Sequence, residues 1–194
     1  MQSRQDLLDA TKRLVAAEGA RATTVARITA EAGLAKGLFF YYFKSKDAAL
    51  SAITAEIEGS YMQGLESAAG LAPPPERLAA IFVHHFRFID ECQQDALFLH
   101  AVSVDCVAGG VEVVGGRGGA SLGFYEHLFM AILDTLESGV RSGDFICSDT
   151  DEMAFMILGA IHGLARLKLS GFRRDYDVVS HLVAFYGKAL GHHA

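Results

Sequence analysis

Apolar residues recur at helical spacing along almost the whole chain, as expected for amphipathic helices packed on a common core. The first stripe, Leu7, Leu8, Thr11, Leu14 and Val15, predicts a helix from about Ser3 to Glu18, stopped by Gly19. Thr23 or Thr24 can cap a second helix with Val25, Ile28 and Ala32 inward, and Gly33 ends it. A third short helix follows over about Ala35–Tyr42. Ser45 is placed to cap a fourth, long enough to reach about Ala68, with Gly59 and Gly64 inside it as sites of bending or close packing. After the Gly70–Pro75 turn, further helices are predicted over about Pro75–Cys92, Asp95–Val107, Ser121–Arg141, Asp149–Leu169 and Asp177–Leu190. The glycine-rich interval Gly109–Gly119 reads as a loop or irregular helix extension, with a short strand as the alternative. The expected fold is therefore all-α. It comprises an N-terminal three-helix helix-turn-helix domain (1–45), joined by a continuous helix to a helical domain (46–194).

Composition narrows the class. Just over half of the 194 residues are hydrophobic, enough for a substantial core, and all three prolines fall at Pro73–Pro75. No apolar run approaches the roughly 20 residues that span a bilayer, and no signal-peptide apolar region opens the chain. Three dispersed cysteines, Cys92, Cys106 and Cys147, suit reduced thiols rather than a disulfide framework. A cytoplasmic protein with no membrane partner is expected.

The formal net charge is −6, which by itself argues against a polyanionic partner. It is unevenly spread: residues 1–50 hold eight Lys or Arg and five Asp or Glu. A basic head on an acidic body is the pattern of a nucleic-acid binder with a second function elsewhere.

The segment Thr23–Leu50, TTVARITAEAGLAKGLFFYYFKSKDAAL, carries the specific signal. Its Thr-Thr start, Ile28, Ala32-Gly33-Leu34, Lys36-Gly37, the aromatic cluster ending in Phe43, and Lys44-Ser45-Lys46 opening a long helix resemble the DNA-binding motif of the TetR family. On a helical wheel Ala35, Phe39, Tyr42 and Phe43 share one arc, suited to packing on Leu14, Val15, Val25 and Ile28. Lys36, Gly37, Leu38, Phe40 and Tyr41 share the other. An exposed arc that is aromatic and basic asks for a partner, and a major groove admits one helix.

Eight residues are the expected DNA contacts: Thr24, Arg27, Lys36, Gly37, Leu38, Phe40, Tyr41 and Lys46. Gly37 permits close backbone approach, Lys36 reaches a guanine edge or a phosphate, and Leu38 offers apolar contact to a thymine methyl. Tyr41 can donate to a phosphate, and Thr24 and Arg27 can contact the backbone. Lys46 in a first helical turn opposes the helix dipole, which makes sense if an anion binds there. Ala35, Leu38 and Phe40 depart from the family pattern, where Ser, Thr and Tyr are common, so shape and backbone contacts should outweigh base hydrogen bonds.

For the remainder, the resemblance implies a domain that binds a small-molecule effector between its helices and dimerises through its last two, here about 151–170 and 177–190. Both helices are apolar on more than one face, and two copies would match two half-sites of a palindromic operator in double-stranded DNA. Tyr61, His85, Phe86, Ile89, Phe98, Val102, Phe124, Leu128 and Met156 are candidate pocket lining. No cofactor is implied, and no metal site: His84, His85, Cys92, His100, Cys106 and His127 lack an i, i+4 pair of strong ligands, and adjacent histidines diverge on a helix. The expected function is a sequence-specific transcriptional regulator, a repressor released by its effector. The alternatives are a regulator with no effector, a helical enzyme, or an adaptor. An enzyme is disfavoured because there is no nucleophile elbow, no HExxH, and no Gly-Lys-Ser/Thr in Gly109–Gly119. An adaptor would leave Lys36, Tyr41 and Lys46 without a purpose.

Overall fold

The computed structural model describes residues 2–109, 120–172 and 175–191, with side chains of 104–109 and 120–122 left out of account. Among these residues the chain forms helices and no strand. The helices are α1 (Gln2–Glu18), α2 (Val25–Glu31), α3 (Lys36–Tyr42), α4 (Lys46–Ala69), α5 (Pro74–Glu91), α6 (Gln93–Gly109), α7 (Ala120–Ser142), α8 (Thr150–Leu169) and α9 (Val178–Ala189). The expected loop, extension or strand at 110–119 lies outside the described residues, as do His192 and His193.

Local chemistry sets the boundaries. Thr24 caps α2 by accepting from the Arg27 amide at 3.3 Å. Ser45 Oγ accepts from the Ala48 amide at 3.1 Å, holding the start of α4. Asp149 and Asp177 cap α8 and α9 in the same way, at 2.9 and 3.1 Å. Gly33 turns the chain between α2 and α3 at φ +66°, a left-handed conformation that a side chain strains. Helix α4 begins at Lys46 and runs unbroken to Ala69.

The chain groups into two compact units. The first holds residues 1–59 and 93–124, the second 60–92 and 125–194. In the first, α1 packs on α2, α3 and α6, with Leu7, Leu8, Val15, Ile28 and Phe39 fully or almost fully buried. Thr11, also buried, returns its hydroxyl to the Leu7 carbonyl at 2.7 Å, so the stripe stays satisfied. The placement of α6 against α1, tied by Lys12–Asp95 at 2.7 Å, is invisible to periodicity.

In the second unit α5 packs on α8 and α9. Leu78, Ile81, Phe82, Ile132, Leu136, Ile157 and Ile161 form its apolar core. Gly64 is a close approach rather than a bend: a methyl there would meet His84 Cε1 at 2.7 Å. Gly59 faces open space, and its role in α4 stays unexplained by packing.

Candidate nucleic-acid interface and effector region

Helix α3 is held from beneath. Phe39 is 0% and Phe43 6% exposed, and their rings pack with centroids 5.6 Å apart. Of the arc expected to face the core, Tyr42 is only half-buried and Ala35 is exposed. Ala35 is the residue before the first turn, in an extended conformation and without a side-chain cap bond, so the helical wheel did not apply to it.

The other arc faces outward. Lys36 and Gly37 are exposed and Leu38 is half-buried. Phe40 is 50% and Tyr41 78% exposed. A methyl at Gly37 would meet nothing within 4 Å, so the gap there is toward solvent. Helix α3 thus presents two large rings and one ammonium on a rigid base. Exposed aromatic surface of this kind costs free energy unless a partner covers it.

The cations of the head, among them the expected DNA contacts Arg27, Lys36 and Lys46, have different surroundings. Lys36 and Lys44 are exposed and make no ion pair among the described residues. Arg27 pairs with Glu18 at 2.6 Å, and Arg13 with Glu31 at 3.2 Å. These pairs hold α2 against α1, and they reduce the positive field that a residue count suggests. Lys46 is half-buried, and its Nζ donates to the carbonyls of Ala20 at 2.5 Å and Thr23 at 3.0 Å. The unfavourable position in a first turn is therefore compensated by backbone acceptors in the α1–α2 turn, a physical reason that the sequence did not reveal. One N–H of the three remains for another acceptor. Thr24 is exposed, with its hydroxyl oxygen engaged as the α2 cap.

The nine candidate lining residues divide between the units. Phe98, Val102 and Phe124 are buried in the first. Tyr61, His85, Phe86, Ile89 and Leu128 are buried in the second, where Met156 is instead 54% exposed. Met156 is therefore surface rather than lining in this chain alone. The histidines and cysteines of the chain form no cluster of three or more potential metal ligands among the described residues.

A separate apolar groove of about 410 Å³ lies between α5 and α9, lined among others by Leu78, Phe82, Phe145, Val183 and Tyr186. Periodicity could not have found it, because its walls come from distant helices. On α8 and α9 a second set of large apolar side chains stays uncovered: Phe155 is 66%, Phe185 61% and Leu167 45% exposed. Also among the described residues, no helix is long and apolar enough to cross a membrane.

Known proteins share both the motif and the architecture. Residues 7–53 match the family model for bacterial regulatory proteins, tetR family. A TetR-family transcriptional regulator from a Rhodococcus species superposes with a TM-score of 0.74 at 20% identity, covering 98% of this chain and 100% of that one. The fatty acid degradation regulator FadR from Bacillus halodurans gives 0.76 at 19% identity, covering 98% and 95%. FadR from Bacillus subtilis, solved with stearoyl-CoA, gives 0.72 at 21% identity and 96% of both chains. No curated protein is significantly similar in sequence.

The matched segment is the helix-turn-helix head, and it sits on an all-helical body. The head is thus similar to the DNA-binding segment of tetR-family bacterial regulators, and the fold of nearly the whole chain is shared with solved regulators of that kind.

Proposed function

We propose that this regulator is a cytoplasmic homodimeric repressor that binds a palindromic operator and leaves it when a small molecule occupies the body. The observation that carries the DNA-binding face is the exposed arc of α3, where Tyr41 is 78% and Phe40 50% exposed on a buried Phe39 base. Lys36, Gly37, Leu38, Phe40 and Tyr41 meet the major groove. Thr24, Arg27 and Lys46 approach the flanking phosphates, Arg27 by exchanging Glu18 for phosphate and Lys46 through its remaining N–H.

Dimerisation through α8 and α9 is supported by Phe155, Leu167 and Phe185, large apolar side chains left uncovered on these two helices. A two-fold pair would bury them isologously and set two recognition helices against half-sites roughly 34–36 Å apart or at a related spacing. Release by an effector is supported by the likeness to FadR from Bacillus subtilis, whose structure contains stearoyl-CoA. A ligand that prefers one arrangement of α4 shifts the dimer away from the operator-binding state.

The test is DNA binding of Tyr41→Ala, Lys36→Ala and Lys46→Ala against a palindrome selected from random duplexes by the wild-type chain. Affinity should fall in each, and the salt slope by roughly one unit per lost phosphate contact. Wild-type affinity in all three variants would refute the interface.

A further inference from the structure

The second unit contains a cluster of polar rings that DNA binding does not use. Tyr61 of α4 is buried, and its Oη lies 3.0 Å from Nδ1 of His85 on α5. The neighbouring His84 donates from Nε2 to the Tyr61 carbonyl at 2.9 Å. A carbonyl only accepts, so that nitrogen carries the proton of His84. Tyr125 of α7 meets His162 of α8 edge to face, with ring centroids 5.0 Å apart. Four helices thus bring two tyrosines and three histidines together.

His85 is the inner member of this cluster, only 4% exposed. Burial first, then the neighbouring His84 and His162, push its pKa down to about 3. The imidazole is therefore neutral, with one N–H and one lone pair. A phenol is the better donor and an imidazole nitrogen the better acceptor. Tyr61 therefore donates into Nδ1, and Nε2 keeps the proton. That Nε2 is buried and has no hydrogen-bond partner. Buried donors in folded proteins are almost always satisfied. One left open on a helix where the Phe86 ring lies 5.5 Å from the imidazole and Ile89, one turn on, is also buried, is a group waiting for an oxygen.

We propose that Nε2–H of His85 is the polar anchor of the effector site, and that it takes an uncharged ligand: an ester, ketone or alcohol oxygen on an apolar skeleton. This rests on the effector-release reading above and gives it a chemistry. A carboxylate would bring a charge that a neutral imidazole cannot offset. A cationic ligand would turn its own donors against an N–H. A carbonyl or hydroxyl oxygen needs only to accept, and it extends the Tyr61–His85 chain by one bond.

The experiment uses the full chain with isotope-labelled histidine and four probes built on the same ten-carbon chain: methyl decanoate, decanol, decanoate and decane. The ester and the alcohol should shift the Nε2 resonance of His85 and raise Tm, and the acid and the hydrocarbon should do neither. His85→Phe should weaken ester binding about tenfold, the worth of one hydrogen bond, and His85→Gln, which keeps an N–H, should restore part of it. A resonance that none of the four moves, or that reports only a water none displaces, overturns the proposal. So does decane or decanoate binding as tightly as the ester. If one of those two nevertheless releases operator DNA, the effector reading stands and only the anchor falls. If the ester binds at His85 and DNA binding persists, the anchor stands and the release reading falls.

Discussion

Beneath the recognition helix the interior is Leu7, Leu8, Val15, Ile28 and Phe39, and its buried hydroxyls, Thr11, Thr23 and Thr29, each donate to a carbonyl four residues earlier in the chain. Around α5 the interior includes Tyr61, His84 and His85, and two of its ring nitrogens are left without partners. The first region satisfies its interior polar groups within itself and presents Lys36, Phe40 and Tyr41 outside. The second keeps it inside. A surface that meets a polyanion needs a rigid apolar base and exposed functional groups. A site that takes a small molecule needs functional groups withdrawn from water, where each hydrogen bond discriminates more strongly.

Mutation and pH should separate the two regions. Phe39→Ala should cost about 3–5 kcal/mol, as for other fully buried aromatic side chains, and should abolish operator binding by melting the head. Denaturant unfolding followed by head-specific hydrogen exchange checks it, and protection lost equally around α5 would break the comparison. Lys46→Ala removes a charged donor from the Ala20 and Thr23 carbonyls and should cost about 1.5–3 kcal/mol, also read by exchange in the head.

Acid should act on the other region. Burial lowers His84, His85 and His162 below the ordinary histidine value. The unfolded chain then binds protons that the folded chain refuses. Stability is full above the ordinary histidine pKa of about 6.5 and falls as pH drops toward the depressed folded values. For His85 the window reaches down to about 3, at up to about 1.4 kcal/mol per pH unit while only the unfolded form is protonated. Thermal melts from neutral to mildly acidic pH should show this loss, and His85→Phe should flatten it. The smallest effect on folding belongs to Tyr41→Ala. At 78% exposure it should shift stability by no more than about 0.5 kcal/mol while weakening DNA binding, which is what an outward-facing functional group requires.

The head was largely legible because its signals are local. The caps at Thr24 and Ser45, the left-handed turn at Gly33 and the alternation of Phe39 and Phe43 with Phe40 and Tyr41 each act within a few residues. The wheel failed at Ala35, which sits before the helix begins, and was only half right at Tyr42 and Leu38, both half-buried. Of the candidate lining residues in the second unit, Tyr61, His85, Phe86, Ile89 and Leu128 are buried, whereas Met156, which the pattern could not tell from them, is exposed. A helix that is apolar on two faces gives no sign of which face its own chain covers.

What the sequence by itself determined, then, is the order and length of the helices and which arc of α3 faces out, because period, caps and glycine turns are properties of neighbouring residues. Tertiary structure alone decided that Lys46 binds two carbonyls more than twenty positions earlier in the chain, that Arg27 is spent on Glu18, that α6 lies along α1, and that His85 meets Tyr61 while leaving one nitrogen open. Each depends on residues from separate helices arriving at one place. Such a meeting leaves no periodic mark, since the spacing between partners is set by the packing of whole helices rather than by the turn of any one.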